Sequence, residues 1–261
     1  TITTEVENYP GFVEGIQGPD LMEVLKKQAM RFGVTCHSEV IEEVDLSQRP
    51  FRLKNATREV IADSVIISTG ATARYLNLPG EDAFHNKGLS ACAACDGVVV
   101  GGGDSACEEA TFLTKFASKV TMVHRRDSFR ASKIMADRAL ANDKIEVKWF
   151  NELVGYHGDA EGRIEAVDLK DSRTGEIERY PCQGVFMAIG HVPNTKFLGG
   201  AIDLDDAGYI VTKPDTTYTN IEGVFACGDV QDTVYRQAIT AAGTGCMAAI
   251  DAERWLENQH G

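Results

Sequence analysis

The sequence contains no apolar run near the roughly 20 residues that a membrane-spanning helix requires. It also has no internal repeat, no low-complexity tract and no polybasic stretch. Solenoids, disordered chains and helical membrane spans are thereby set aside. Positive charge is scarce, with 26 Lys and Arg against 39 Asp and Glu, a net charge of −13. Non-specific binding to nucleic acid or to an anionic membrane needs the opposite sign, so neither partner is expected. The seven cysteines form an odd set, too sparse for a small secreted disulfide scaffold. The six histidines are scattered, and no second Cys or His pair stands at zinc-ligand spacing, so no metal site is expected. The chain opens in Thr-Ile-Thr-Thr-Glu-Val, with neither Met nor a signal-peptide pattern, and reads as the interior of a longer protein.

What remains is an ordinary globular composition, 43% hydrophobic, 8% aromatic and 25% charged, over a length that suits about two domains. Apolar runs ending in glycine alternate with helical patterns, the sign of α/β layering. A helix opens at Pro19-Asp20 and stops at Gly33, with Leu21, Val24, Leu25 and Phe32 on its apolar stripe. Strand-like alternation spans Val40–Leu53, and Ala62–Gly70 reads as a buried strand. Val98–Val100, a helix over 104–116 and a strand over 119–124 make a βαβ unit. Another helix spans 132–142. Ile145–Tyr180 reads as a β-meander broken at Gly158-Asp159 and Thr174-Gly175. Val185–Gly190 repeats the strand-into-glycine theme, His191–Asn194 reads as an inter-domain turn, and a small-residue helix covers about 235–257. Only three valines stand between Gly97 and the glycine loop, short for a central strand. Residues are expected to be missing between Gly97 and Val98.

Chemistry concentrates in three places. Gly101-Gly102-Gly103-Asp104-Ser105-Ala106 fits G-x-G-x-x-A. Its glycines permit a tight turn and a close approach to a pyrophosphate, and the helix N-terminus faces the anion. At the end of the following strand, where an NAD site places an acid, the chain has His124-Arg125-Arg126 and then Arg130. Forked guanidinium groups suit a 2′-phosphate, which favours NADPH over NADH.

Cys92-Ala93-Ala94-Cys95-Asp96 brings two thiols within one turn, as a reversible disulfide requires. A structural pair is the alternative. Asp96 reads equally as a proton carrier for thiol exchange or as an exposed turn acid. Cysteines 36, 107, 182, 227 and 246 lie in apolar sequence and read as core filler. Finally, Gly228-Asp229 ends a strand before a small-residue helix. Asp229 is either a hydroxyl acceptor at a ligand site or an N-cap.

Together these motifs resemble the low-molecular-weight, NADPH-dependent thioredoxin reductases of plants, fungi and bacteria. The matching pieces run the length of the chain in family order. They are Thr3–Phe12, Ser68–Ala71, Ala91–Gly97, Gly101–Ala106, His124–Ser132, Ile189–His191, Gly228–Val230 and Tyr235–Ala238. The resemblance implies an α/β fold of two nucleotide-binding Rossmann-like domains of the three-layer ββα type. An NADPH domain, residues 88–191, would be inserted into a discontinuous FAD domain made of 1–87 and 192–261.

By the same resemblance, Asn8, Thr69, Gly70, Ala71, Gly228, Asp229, Arg236, Gln237 and Ala238 surround FAD. Gly101, Gly103, Asp104, Ser105, Ala106, His124, Arg125, Arg126, Arg130, Ile189 and Gly190 serve NADPH. Cys92 and Cys95 form the redox disulfide with Asp96 as acid/base, thioredoxin is the partner, and the enzyme is a homodimer; a cytoplasmic location is expected, with an organellar one as the alternative. The family's first strand and FAD glycine motif would lie upstream of Thr1, and its connection after Cys-Asp-Gly is longer. The alternatives are a related flavin disulfide reductase for another dithiol, and a non-catalytic NADP(H)-binding module.

Overall fold

A computed structural model describes residues 5–6, 8–85, 87–90 and 97–260. The chain divides into two compact units. One comprises Thr3–Thr72 with Val192–Gly261, and the other Ala73–His191.

The inserted unit is built on a five-stranded parallel sheet. Its order is Ile145–Trp149, Val120–His124, Gly97–Gly101, Gly184–Ala188 and Leu89–Ser90. Side chains alternate across the strands, so each face makes its own core. Val99, Val120, Met122 and Phe186 meet Ala106, Cys107, Ala110 and Leu113 of the helix Asp104–Leu113. Val98, Val100, Val123, Val185 and Met187 meet Leu153, Val167 and Leu169 of an antiparallel meander. That meander consists of Asn151–Gly158, Ile164–Asp171 and Ile177–Pro181. Helix, parallel sheet and antiparallel sheet are the three layers.

The discontinuous unit repeats this layering without any sequence repeat. Val65–Ile67 and Val224–Ala226 pair in parallel. Phe225 and Cys227 face Ala248, Ala252 and Trp255 of the helix Ala238–His260. Ile67, Val224 and Ala226 instead share a core with Leu46 and Phe51. These two belong to the layer of Glu43–Asp45, Phe51–Lys54 and Glu59–Ala62.

Several elements differ from the sequence reading, each for a local reason. The alternation over Val40–Leu53 folds back on itself, because the Asp45 carboxylate accepts from the Ser47 N–H (3.0 Å) and hydroxyl (2.6 Å). Ala62–Gly70 yields only the short strand Val65–Ile67, on which Ile67 is buried and Ile66 exposed. Ile145–Trp149 joins the parallel sheet and not the meander. The last helix starts at Ala238, because Asp232 holds the N–H groups of Val234, Tyr235 and Arg236 at 2.8 Å each. Gly97 supplies the strand length that three valines lacked, and a Cβ there would stand 2.8 Å from the Phe186 ring. Cys36 and Cys246 are exposed, so they do not fill a core, whereas Cys107 and Cys227 do. On the helix Gly18–Arg31 Leu21 is buried, but Val24 is exposed, and so is Phe32 at its C-cap.

The chain crosses between the units at 72–73 and 191–192. Asn194 clasps the first crossing. Its amide donates to the Thr69 carbonyl (2.9 Å), its Oδ1 accepts from Thr72 (3.0 Å), and its carbonyl accepts from the Thr69 hydroxyl (2.9 Å). Beyond it, the Arg74 N–H donates to the Gly190 carbonyl at 2.9 Å.

The segment that follows the first crossing is fixed by Glu81. This buried carboxylate accepts from the Leu78 N–H (2.7 Å), the Leu76 N–H (3.3 Å) and the Tyr156 hydroxyl (3.1 Å). Around it, Tyr75, Leu76, Leu78 and Phe84 pack on the inserted unit's core, which draws residues 73–87 into that unit. Glu81→Ala strands three donors, and denaturant unfolding of the variant is expected to show a loss of about 2–3 kcal/mol. Glu81→Gln, which keeps an acceptor, should lose less.

Candidate nucleotide and redox sites

The first site forms where the strand Gly97–Gly101 turns into the helix Asp104–Leu113. A Cβ on Gly101 would lie 2.5 Å from the Ala188 carbonyl oxygen and 2.8 Å from the Ala106 Cβ, so the turn admits no side chain there. A Cβ on Gly102 would overlap the imidazole of His124. The helix begins after Gly103 without a side-chain cap, which leaves its first N–H groups facing outward at the positive end of the helix dipole. That arrangement is an anion cradle.

His124 ends the neighbouring strand, buried and packed against Phe129 and Trp149, with ring centroids 5.7 and 6.1 Å away. Burial pushes its pKa down. A hydrogen bond with the Ser128 backbone opposes this, and the charges of Arg130, Arg126 and Arg125 add to the lowering, so the ring is neutral at pH 7. Arg125, Arg126 and Arg130 are exposed. Among the described residues, no carboxylate lies within ion-pair distance of any of the three. The Arg130 and Ala131 N–H groups both donate to the Gly102 carbonyl, at 2.6 and 3.1 Å, so the basic segment folds back onto the glycine loop. Ser105 and Ala106 sit in the first helical turn. Ile189 and Gly190 follow the adjacent strand, where Ala188 pairs with Gly101.

The second site lies in the discontinuous unit, at the C-terminal ends of its two parallel strands. Thr69, Gly70 and Ala71 follow one strand, while Gly228 and Asp229 follow the other. The Gly228 N–H donates to the Thr244 hydroxyl (2.9 Å) on the last helix. Burial and the nearby Asp232 carboxylate raise the Asp229 pKa, and Arg236 opposes them. Burial also acts on Asp232, but three backbone N–H donors and the Thr240 hydroxyl hold its pKa below the ordinary value. Gln237 accepts from the Asn8 amide at 2.9 Å, joining the start of the chain to the head of the last helix, where Ala238 begins. Arg236 turns toward the Tyr209 hydroxyl (3.3 Å) and the Thr233 carbonyl (3.2 Å). Sequence reasoning passed over Asp232 and Thr244, although an Asp followed by a turn and then a helix is a recognisable Asx-turn signal.

Cys92, Cys95 and Asp96 lie outside the described residues. Of the remaining thiols, Cys182 is pushed up to about 12 by burial, and burial also raises Cys227 and Cys107. Raised thiols are poor nucleophiles near pH 7.

Residues 1–245 match the pyridine nucleotide-disulphide oxidoreductase family. The chain is 55% identical over 272 residues to thioredoxin reductase 2 of Arabidopsis thaliana, covering 98% of this chain and 71% of that protein. Against the thioredoxin reductase of Rickettsia conorii it is 53% identical over 268 residues, covering 98% and 86%. The solved thioredoxin reductase from Giardia duodenalis superposes with a TM-score of 0.86 at 42% identity, over 98% of this chain and 86% of that one. The chain belongs to the thioredoxin reductase family.

The Arabidopsis alignment, at 272 positions, is longer than the whole 261-residue chain. Such relatives therefore carry residues inside the matched stretch that this chain does not. The thioredoxin reductase family uses FAD and NADPH, and both sites suit such groups. Among the described residues, the buried side-chain atoms that lack a hydrogen-bond partner are His124 Nε2 and Asp229 Oδ1. One stands at each site, where a polar ligand would satisfy it. No described helix is long and apolar enough to cross a membrane.

Asp229 has a folded pKa above its unfolded one, so its ionised form opposes folding as pH rises past about 4. Asp229→Ala is therefore expected to raise the unfolding midpoint of the cofactor-free protein at pH 7, with the advantage fading below about pH 4. The same substitution should weaken flavin retention at least tenfold, as read by flavin released on dialysis.

Proposed function

We propose that this chain is an NADPH- and FAD-dependent disulfide reductase acting on thioredoxin. The reaction is NADPH + H⁺ + thioredoxin disulfide → NADP⁺ + thioredoxin dithiol. The observation that carries this reading is the match across 98% of the chain, at 55% identity, to a thioredoxin reductase. The two nucleotide-shaped strand ends and the exposed arginines support it from the chain's own chemistry.

In this reading Ala73–His191 is the NADPH unit. The first-turn N–H groups of Ser105 and Ala106 face the pyrophosphate, and Arg125, Arg126 and Arg130 neutralise the 2′-phosphate. The neutral His124 offers Nε2 as a hydrogen-bonding atom without adding charge. The discontinuous unit holds FAD, where Asp229 accepts from the hydroxyl-bearing chain and the head of the last helix meets anionic or carbonyl groups. Bound FAD supplies a two-electron relay between a nicotinamide and a disulfide.

Cys92 and Cys95 carry the electron pair onward. One thiolate attacks the thioredoxin disulfide to form a mixed disulfide, the other resolves it, and the Cys92–Cys95 disulfide is regenerated. Asp96 holds and returns the proton that the resolving thiol loses. Cys182, Cys227 and Cys107, with raised pKa values, are unsuited to this exchange. We further propose a homodimer, on the family likeness.

Anaerobic NADPH titration of the purified flavoprotein tests the relay. About two equivalents per flavin are expected, because flavin and one disulfide both accept electrons. Cys95→Ser should accept about one and lose thioredoxin reduction by at least a thousandfold while retaining NADPH binding. Full turnover in that variant would sink the mechanism, and a colourless protein would favour a plain NADP(H)-binding module.

A further inference from the structure

Asp104 is an unexpected residue for a phosphate cradle. It is the first residue of the helix whose N-terminus faces the anion, and a carboxylate there repels the ligand that the helix attracts. Its geometry gives it another task. Oδ1 accepts the Ser132 N–H at 2.6 Å. Ser132 is the N-cap of the helix Lys133–Leu140 and makes no side-chain cap of its own, so Asp104 of one helix caps the next.

The arginine-bearing segment thus lies between fixed points. At its start the His124 ring rests against Gly102. At its end the Arg130 and Ala131 N–H groups bind the Gly102 carbonyl, and one residue later Ser132 binds Asp104. Between them the Arg126 carbonyl accepts from the Phe150 N–H at 3.3 Å, and Phe129 packs on Trp149 with centroids 4.6 Å apart. Three exposed guanidinium groups therefore spring from a backbone held on both sides. Pinning the backbone lowers the ordering cost of gripping a phosphate.

We propose that Asp104 is a positioning residue for recognition of the adenosine 2′-phosphate, clamping segment 125–131 over Gly102 without touching the dinucleotide. The inference rests on the NADPH reading above. The clamp needs the carboxylate's acceptor oxygen and not its charge. Asp104→Asn should therefore preserve it and Asp104→Ala should release it. Ser132→Pro removes the donor while leaving Asp104 in place, and proline tolerates the Ser132 backbone at φ −55°.

The test uses the FAD-loaded protein and the non-reacting nucleotides 2′,5′-ADP and 5′-AMP, which differ only in the 2′-phosphate. The chain has two tryptophans, Trp149 and Trp255. In a Trp255→Phe background Trp149 fluorescence therefore reports directly on the Phe129 contact and on binding. Asp104→Ala and Ser132→Pro are each expected to weaken 2′,5′-ADP on the order of tenfold relative to 5′-AMP, and to shift Trp149 emission. Asp104→Asn should keep the parent's preference for the 2′-phosphate and bind both nucleotides at least as tightly, because the repelling charge is gone. An unchanged 2′-phosphate preference in both Asp104→Ala and Ser132→Pro overturns the proposal, as does equal weakening of both nucleotides or an Asn variant as impaired as the Ala one. A parent protein without any preference for 2′,5′-ADP overturns the NADPH reading itself.

Discussion

The inserted unit depends on how closely backbone can approach backbone at one turn. Gly101 lies so near the Ala188 carbonyl and the Ala106 methyl that no side chain fits. That proximity presses the helix Asp104–Leu113 onto the sheet and aims its first N–H groups past the strand ends. Gly102 in turn leaves room for the His124 ring and offers its carbonyl to Arg130 and Ala131. The nucleotide cradle and the cationic segment beside it are thus two results of the same missing side chains. A methyl at Gly101 would disturb core packing and ligand geometry together.

Among the described residues, buried side-chain polar atoms have hydrogen-bond partners except at two places, one in each unit. His124 Nε2 and Asp229 Oδ1 are the buried, unpartnered side-chain atoms among the described residues. Each stands at or just beyond the C-terminal end of a parallel strand. Leaving such an atom unsatisfied costs roughly 1–3 kcal/mol. A polar group bound at either position would offset that cost. At Asp229 the cost includes the charge itself, which burial and Asp232 both disfavour.

Much of this organisation was legible in the residues. Val98, Val99 and Val100 announced a buried parallel strand, and the glycine loop and the arginines do follow neighbouring strands of that sheet, because turn geometry and charge are local properties. The layering was harder to see. Ile145–Trp149 has the same β-branched and aromatic character as the meander after it, and only pairing with Val120–His124 decides its sheet. Val40–Leu53 alternates like one strand, yet Asp45 and Ser47 turn it. Cys36 and Cys246 sit in apolar sequence but are exposed, since composition does not reveal which side of an element faces outward. Asp104 shows the limit best. Its sequence context is a phosphate loop, whereas its hydrogen bond runs to Ser132, a neighbour distant in sequence.

The two crossings have a consequence for the discontinuous unit as a host. Arg74 and Gly190, at the two ends of the inserted unit, are joined by a backbone hydrogen bond. Thr69 and Thr72 are fastened to Asn194 on the host side. Loop-closure entropy depends on how far apart a loop's ends must be held and only weakly on how much chain lies between them. Once folded, Ala73–His191 therefore closes the host as a tight turn would, whereas the same insert unfolded would add about 3 kcal/mol to that closure, so folding of the guest helps the host core to close.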